Sequence, residues 1–376
     1  MLFALMGSRM FDGDAIRDGL ALIIDGTRIV DVVQESKVPS DMVRHGLKGG
    51  LLAPGFVDVQ VNGGGGVLFN SDPTVEGVAR IAASHRRFGT TGLLPTVITD
   101  AAEVTTAAVA AVSEARATGI PGILGIHIEG PFLDPGRKGA HDPKYIREMT
   151  DADIATLSAA KCGMVMLTVA PNKVRPEFIE KLTKAGILVS LGHSEATDAE
   201  ANAALQAGAQ AFTHLFNSMS QLQPRASGMV GAALADRKSY CSIIADGLHV
   251  DNTALKVAFA AKPKDRIMLI TDAMSTAAGG PSSFELQGRR VTLSNGRLLL
   301  DDGTLAGSNL TMDEAVRHCV NRLDLALEDA LRMASHNPAA FLRCERELGR
   351  IAPGYLASLV HLSDDLRVLH TWVEGT

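Results

Sequence analysis

Eight short apolar runs between residues 55 and 270 constrain the fold of this chain more than any other feature. They occupy 55–61, 92–98, 123–128, 164–169, 187–191, 211–215, 241–245 and 267–270, and each ends in polar or glycine-rich residues. Amphipathic stretches separate many of them, at 75–87, 101–117, 177–185, 198–207 and 252–261. Eight strand–helix units are what a closed parallel barrel requires, with strands apolar on both faces because both are covered. An open doubly wound sheet would need a dinucleotide-type glycine loop after its first strand. Asn62-Gly63-Gly64-Gly65-Gly66 is glycine-rich, but its spacing is different and no acidic residue ends the next run. The expected fold class is therefore α/β, a (β/α)8 TIM-like barrel.

The two ends of the chain read differently. Ala21–Ile24 and Arg28–Val33 are short apolar runs flanking Asp25-Gly26, a hairpin signal, and 357–362 and 368–373 are again strand-like. We expect a small β-sandwich from residues 1–52 plus 346–376, around a barrel of 53–345. Residues 284–301 interrupt the rhythm with a hairpin about Ser294-Asn295-Gly296, a decoration on the barrel. With 376 residues, 46% of them hydrophobic and 21% charged, the chain can bury a large core.

A net charge of −6 speaks against a nucleic-acid or membrane-surface binder, although a few local cations can still receive a small anion. Cys162, Cys241, Cys319 and Cys344 are too scattered for a zinc finger, a redox motif or a disulfide framework. The apolar start lacks a basic leader, and no run reaches membrane-spanning length. A cytoplasmic location is expected.

In a parallel barrel, chemistry collects at the carboxyl ends of the strands. The first run ends in Gln60 and Asn62, the third in His127 and Glu129, the fifth in His193 and the sixth in His214. The seventh leads to Asp246 and His249, the eighth to Asp272. Taken singly, a histidine here is a pocket hydrogen-bonder, Glu129 an ion-pair partner and Asp272 a helix N-cap. Jointly, two histidines and a carboxylate from different strands form a three-ligand set with an open position, as a catalytic metal needs.

Eight ordered segments carry a resemblance: Pro54-Gly-Phe-Val-Asp58, His127-Ile-Glu-Gly-Pro131, Lys138-Gly-Ala-His141, Gly192-His-Ser194, Thr213-His-Leu-Phe-Asn217, Ala245-Asp-Gly-Leu-His249, Thr271-Asp-Ala273 and Ala306-Gly-Ser308. In this order they resemble the motifs of the N-acetylglucosamine-6-phosphate deacetylases of the amidohydrolase superfamily. The resemblance implies that Glu129, His193 and His214 hold one divalent metal and that Asp272 is the catalytic acid/base. It also implies that His141 contacts the acetamido carbonyl, and that Arg225, Asn217 and Ser218 grip the phosphate. Gln60, Asn62, Ala140, Ala306 and Gly307 complete the substrate-binding set. His249 is expected on an outward loop, reaching the neighbouring active site of a homodimer.

Many superfamily members carry His-x-His where this chain has Gln60-Val61-Asn62, and no bridging lysine stands at Ala170-Pro171-Asn172. Neutral amides are poor ligands beside imidazole, so a single metal is expected and Gln60 and Asn62 read as hydrogen-bonding residues. Zinc suits two histidines and a carboxylate, with Fe(II), Mn(II) and Co(II) as alternatives. The expected activity is hydrolysis of N-acetylglucosamine 6-phosphate to glucosamine 6-phosphate and acetate. The galactosamine epimer, or a cyclic amide of the dihydroorotase or hydantoinase kind, is the alternative. A scaffold protein that had lost its metal would show gaps among Glu129, His193, His214 and Asp272, and there are none.

Overall fold

In the computed structural model, which describes residues 2–376, the eight runs form one parallel sheet in sequence order. Its strands are β1 (Phe56–Val61), β2 (Thr90–Ile98), β3 (Gly125–Glu129), β4 (Met164–Val169), β5 (Leu188–Leu191), β6 (Ala211–Phe212), β7 (Tyr240–Ile244) and β8 (Ile267–Ile270). Every residue in them except Met164 and Tyr240 is buried, which is why they read as unbroken apolar runs rather than alternating ones. The sheet closes where β8 meets β1. Asp272 N–H donates to Gln60 O at 3.0 Å, Thr271 Oγ1 donates to Asp58 Oδ2 at 2.5 Å, and Val61 bridges Ala273 in parallel. Inside the barrel a hydroxyl chain replaces part of the aliphatic filling. Ser190 and Thr168 each hydrogen-bond Thr213, at 2.7 and 2.8 Å, and His127 Nε2 meets Thr168 Oγ1 at 2.8 Å.

The five amphipathic stretches are helices with bounds within one or two residues of those expected. Asp198–Gln206 shows why such a start is legible: Thr197 Oγ1 accepts from Glu200 N at 3.2 Å while the Glu200 carboxylate accepts from Thr197 N at 2.8 Å. This reciprocal cap contributes about 1 kcal/mol. Two further helices lack the one-sided apolar pattern, although the second, Asp151–Ser158, has the same kind of cap between Thr150 and Asp153. Gly228–Ala235 is apolar all round with most of its residues buried, and Asp151–Ser158 buries only Ile154, so neither has a one-sided period.

The chain ends build two sheets. One contains Leu2–Met6, Leu20–Asp25, Arg28–Gln34 and Val43–Gly46; the other contains Arg9–Phe11, Ile16–Arg17, Leu51–Pro54, Leu359–Leu362 and Val368–Trp372. Leu5, Leu22 and Ile24 of the first pack with Met10, Leu52 and Leu359 of the second, the shared core of a small sandwich. The Asp25-Gly26 hairpin lies in the first sheet, as expected.

The interruption near residue 294 is larger than a hairpin. Ser283–Leu286, Arg289–Ser294, Arg297–Leu300 and Leu305–Ser308 form an antiparallel meander. Its Leu286, Val291, Leu298 and Ala306 pack on Leu68, Ile98 and Met274. It is a wall over the barrel mouth, not a decoration. Among the described residues, no helix is long and apolar enough to cross a membrane.

Candidate active site

Three of the singled-out side chains leave the barrel by the same backbone device. His193, His214 and Asp272 each lie two residues beyond the end of β5, β6 and β8. All three have positive φ, at 47°, 36° and 51°. A left-handed conformation costs a non-glycine residue roughly 1–2 kcal/mol and recurs where side-chain direction outweighs backbone comfort. Glu129 is the last residue of β3. Gly130 follows it at φ 90°, where a Cβ would sit 2.1 Å from Thr99 Oγ1, so only glycine permits this turn.

These turns bring Glu129, His193 and His214 to one point. Glu129 Oε1 is 3.1 Å from His193 Nε2 and 3.0 Å from His214 Nε2, and the two nitrogens are 3.0 Å apart. Burial pushes the Glu129 carboxyl up, but hydrogen bonds and charge from both imidazoles outweigh it and hold it well below the usual carboxylate range. His193 Nδ1–H donates to Arg137 O at 2.9 Å, which leaves the lone pair of the neutral ring on Nε2. His214 Nδ1 is buried without a partner. Two imidazole nitrogens and a carboxylate oxygen thus turn lone pairs on one spot, a set that a small divalent cation satisfies at once. The donors fit a metal.

The amides that replace His-x-His lie beside this set as donors. Gln60 Nε2 donates to Glu129 Oε1 and to Asp272 Oδ1, both at 3.1 Å, and Asn62 Nδ2 donates to Asp272 Oδ1 at 2.7 Å. One oxygen of Asp272 therefore carries both amides and the other is left for chemistry. Asp272 is raised above the ordinary carboxylate range, by burial first and by the charge of Glu129 second. No helix follows it, so it is not an N-cap. His141 Nε2 lies 3.9 Å from Glu129 Oε2, and burial first, then the charge of His193, push its imidazole down to about 3. It is a neutral ring that can offer a hydrogen bond.

A cavity of about 250 Å³ opens over these groups. Asn62, Glu129, Ala140, His141, His193, His214, Asn217, Ser218, His249, Asp272, Ala306 and Gly307 line it, so most of the expected site meets in one place. Four of the singled-out residues stand elsewhere than expected. Gln60 is wholly buried below the lining and touches Glu129 and Asp272 rather than the cavity. His127 belongs to the hydroxyl chain on Thr168, inside the barrel. His249 does not point outward. Its side chain is 5% exposed and turns into its own chain's cavity, because Asp246 Oδ2 takes its Nδ1–H at 2.7 Å. Arg225 is exposed on the turn at 223–226 and does not line the cavity.

Sequence reasoning missed the apolar part of the wall: Ile98, Ile244, Met274, Leu286 and Leu305. Only the small residues of Ala306-Gly307-Ser308 hinted at it. Gly307 has φ 64°, and a Cβ there would meet Met274 Cγ at 2.6 Å and Asp272 O at 2.9 Å. The meander also holds the loop before His141, since Arg289 donates to Ala140 O at 2.6 Å. All four cysteines are free.

Comparison with known proteins gives a consistent result. The Amidohydrolase family matches residues 51–376, and the NagA composite domain matches residues 2–52. The N-acetylgalactosamine-6-phosphate deacetylase of Shewanella sp. (strain ANA-3) is 44% identical over 336 residues, covering 89% of this chain and 85% of that one. The crystal structure of N-acetylglucosamine-6-phosphate deacetylase from Pasteurella multocida superposes with a TM-score of 0.97 at 34% identity, covering 100% of this chain and 99% of that one. A mutant deacetylase from Mycobacterium smegmatis, in complex with N-acetyl-D-glucosamine-6-phosphate, superposes with a TM-score of 0.93 at 31% identity, covering 100% and 98%.

Proposed function

The chain belongs to the amidohydrolase family, and on that premise we propose that it removes the acetyl group from N-acetylglucosamine 6-phosphate, releasing acetate and glucosamine 6-phosphate. The convergence of Glu129, His193, His214 and Asp272 at the floor of one cavity carries this reading. Glu129, His193 and His214 would hold one divalent metal, zinc by preference for this donor set. When bound, the metal would supply Lewis acidity and lower the pKa of a water to about 7. The free oxygen of Asp272 takes the proton of the attacking water and returns it to the amine nitrogen as the C–N bond breaks. Gln60 and Asn62, by occupying its other oxygen, fix which one works. Neutral His141 donates to the acetamido oxygen as negative charge grows there, a contribution of about 3 kcal/mol for one well-placed donor.

The phosphate belongs at the other end of the cavity, with Asn217, the backbone at Ser218 and His249. A deacetylase in this family that is solved with the 6-phosphorylated sugar bound supports that substrate class. N-acetylgalactosamine 6-phosphate is the second reading, favoured by the 44% identity to a deacetylase of that sugar. A cytoplasmic homodimer is part of the proposal. Arg225 shares its exposed loop with Leu222, which is 56% exposed, and together they suit contact with a second copy. With His249 inside its own cavity, Arg225 rather than His249 would be the residue that reaches the neighbour.

A panel of N-acetylated glucosamine and galactosamine, each with and without the 6-phosphate, tests the substrate by acetate release. We expect kcat/KM for one phosphorylated sugar to exceed that of its unphosphorylated form by at least about a hundredfold. Equal rates with and without phosphate would overturn the reading.

A further inference from the structure

The loop after β7 makes an arrangement that the reaction as described does not use. Asp246 Oδ1 accepts the backbone N–H of Leu248 at 2.8 Å and of His249 at 2.9 Å, while Oδ2 receives His249 Nδ1 at 2.7 Å. Both side chains are nearly buried, 5% exposed for His249 and 9% for Asp246. Burial pushes the Asp246 carboxyl up, but the hydrogen bond and charge of His249 outweigh it and keep it ionised. His249 Nε2 is buried, has no partner, and belongs to a ring that lines the same cavity as Asn217 and Ser218.

The chemistry of this pair is selective. With Nδ1–H committed to Asp246, a neutral ring turns a lone pair towards the cavity and repels an anion. A doubly protonated ring turns an N–H, and its positive charge is shared between the carboxylate behind it and the anion in front. A carboxylate behind an imidazole also fixes the ring plane and the nitrogen that faces the ligand. The charged and titratable groups around the pair agree with this division. Asp272 lines the same cavity and interacts with His249 through charge, and His318 and Glu314 line a separate space with Asp246.

We propose that Asp246 is a positioning residue for substrate recognition: it holds His249 as the charged, correctly turned donor to the 6-phosphate. This rests on the phosphorylated amino sugar being the substrate. Asp246 makes the outer end of the cavity selective for an anion without touching the ligand itself.

The test is a double-mutant cycle of Asp246→Asn and His249→Ala, with KM and kcat measured on N-acetylglucosamine with and without the 6-phosphate. Asn keeps an oxygen for the two backbone amides, so the loop stays, but turns an N–H towards His249 Nδ1. Asp246→Asn should raise KM for the phosphorylated sugar about tenfold, with a smaller change in kcat and a smaller one on the unphosphorylated sugar. In the His249→Ala background the same substitution should cost less than about twofold, because its effect runs through the ring. An equal tenfold loss in that background, or equal losses on both sugars, would overturn the proposal. If Asp246→Asn fails to fold, ¹⁵N-histidine spectra of the unaltered enzyme with glucosamine 6-phosphate decide instead. Protons on both His249 nitrogens are expected, and a bare nitrogen at either position would defeat the inference. A chain with no preference for phosphate in the substrate panel refutes the substrate assignment; a clear preference with no coupling in the cycle refutes only the role of Asp246.

Discussion

The inner and outer ends of the cavity are built from different material. At the inner end, Glu129 terminates a barrel strand and His193, His214 and Asp272 each stand two residues past one, so sheet geometry fixes their spacing. At the outer end, Asn217, Ser218 and His249 sit on loops, and the wall is an inserted meander. Inner groups are held by hydrogen bonds that converge on Glu129 and Asp272. Outer groups are held singly: His249 by one local carboxylate, Asp246, and Asn217 by the carbonyls of His214 and Leu215. Under the proposed reaction a rigid frame would carry the bond-breaking groups and loops the recognition, so changes at the two ends should register in different kinetic constants.

The sharpest way to break this contrast is at the inner end. His193→Ala or His214→Ala should lose the metal, from about one ion per chain to almost none, and at least about a thousandfold in kcat/KM. Metal analysis beside acetate release reads both, and Cys241→Ala, a buried thiol away from the donors, should lose neither. Two stoichiometric ions in fully active protein would contradict the donor role of Gln60. Asp272→Asn should lower kcat by at least about a hundredfold while the metal stays, because the carboxylate's proton transfer is lost but its shape remains. Near-normal turnover would exclude it as the acid/base.

The outer end should respond in KM. His249→Ala and Arg225→Ala are each expected to raise KM for the phosphorylated sugar about tenfold, acting on a group remote from the amide. Mixing the two variants sharpens the point. If Arg225 serves the neighbour, heterodimers contain one doubly defective and one intact site, and activity should rise well above either variant alone. No recovery despite proven subunit exchange would remove Arg225 from the shared site.

The smallest effect is expected at neither end. Arg147 holds Asp153, which also caps the helix Asp151–Ser158 through Thr150, at 2.8 Å to its N–H. Burial pushes Asp153 up, but the Arg147 and Thr150 hydrogen bonds outweigh it and bring it down to about 2. Its folded value lies below the unfolded one near 3.8, so its stabilisation is complete above about pH 4 and fades as pH falls towards 2. With Arg147 46% exposed, Asp153→Asn should cost only about 1 kcal/mol at pH 7, read by denaturant melts, and leave both kinetic constants alone. A difference that persists at pH 2 would sink this account.

The sequence alone determined the barrel, because strands covered on both faces must be apolar along their length and must end where polarity returns. It also put Glu129, His193, His214 and Asp272 at such ends, though the family resemblance, not their position, separated them from His127 and His249. The hydrogen-bonding role of Gln60 and Asn62 followed from amides being weak ligands. Tertiary structure decided what no local pattern encodes. Gln60 lies under the cavity because barrel closure puts its carbonyl on Asp272 N–H. His249 turns inward because Asp246 catches its ring, and Arg225 stays outside because its turn is anchored elsewhere: Gln223 and Ala226 pair with each other. The meander became a wall through the packing of Leu286 and Ala306 on Ile98 and Met274, residues far apart in the chain. Strand ends inherit their positions from a repeating sheet, so the sequence can place them. Loop side chains take theirs from single contacts made only once the chain has closed.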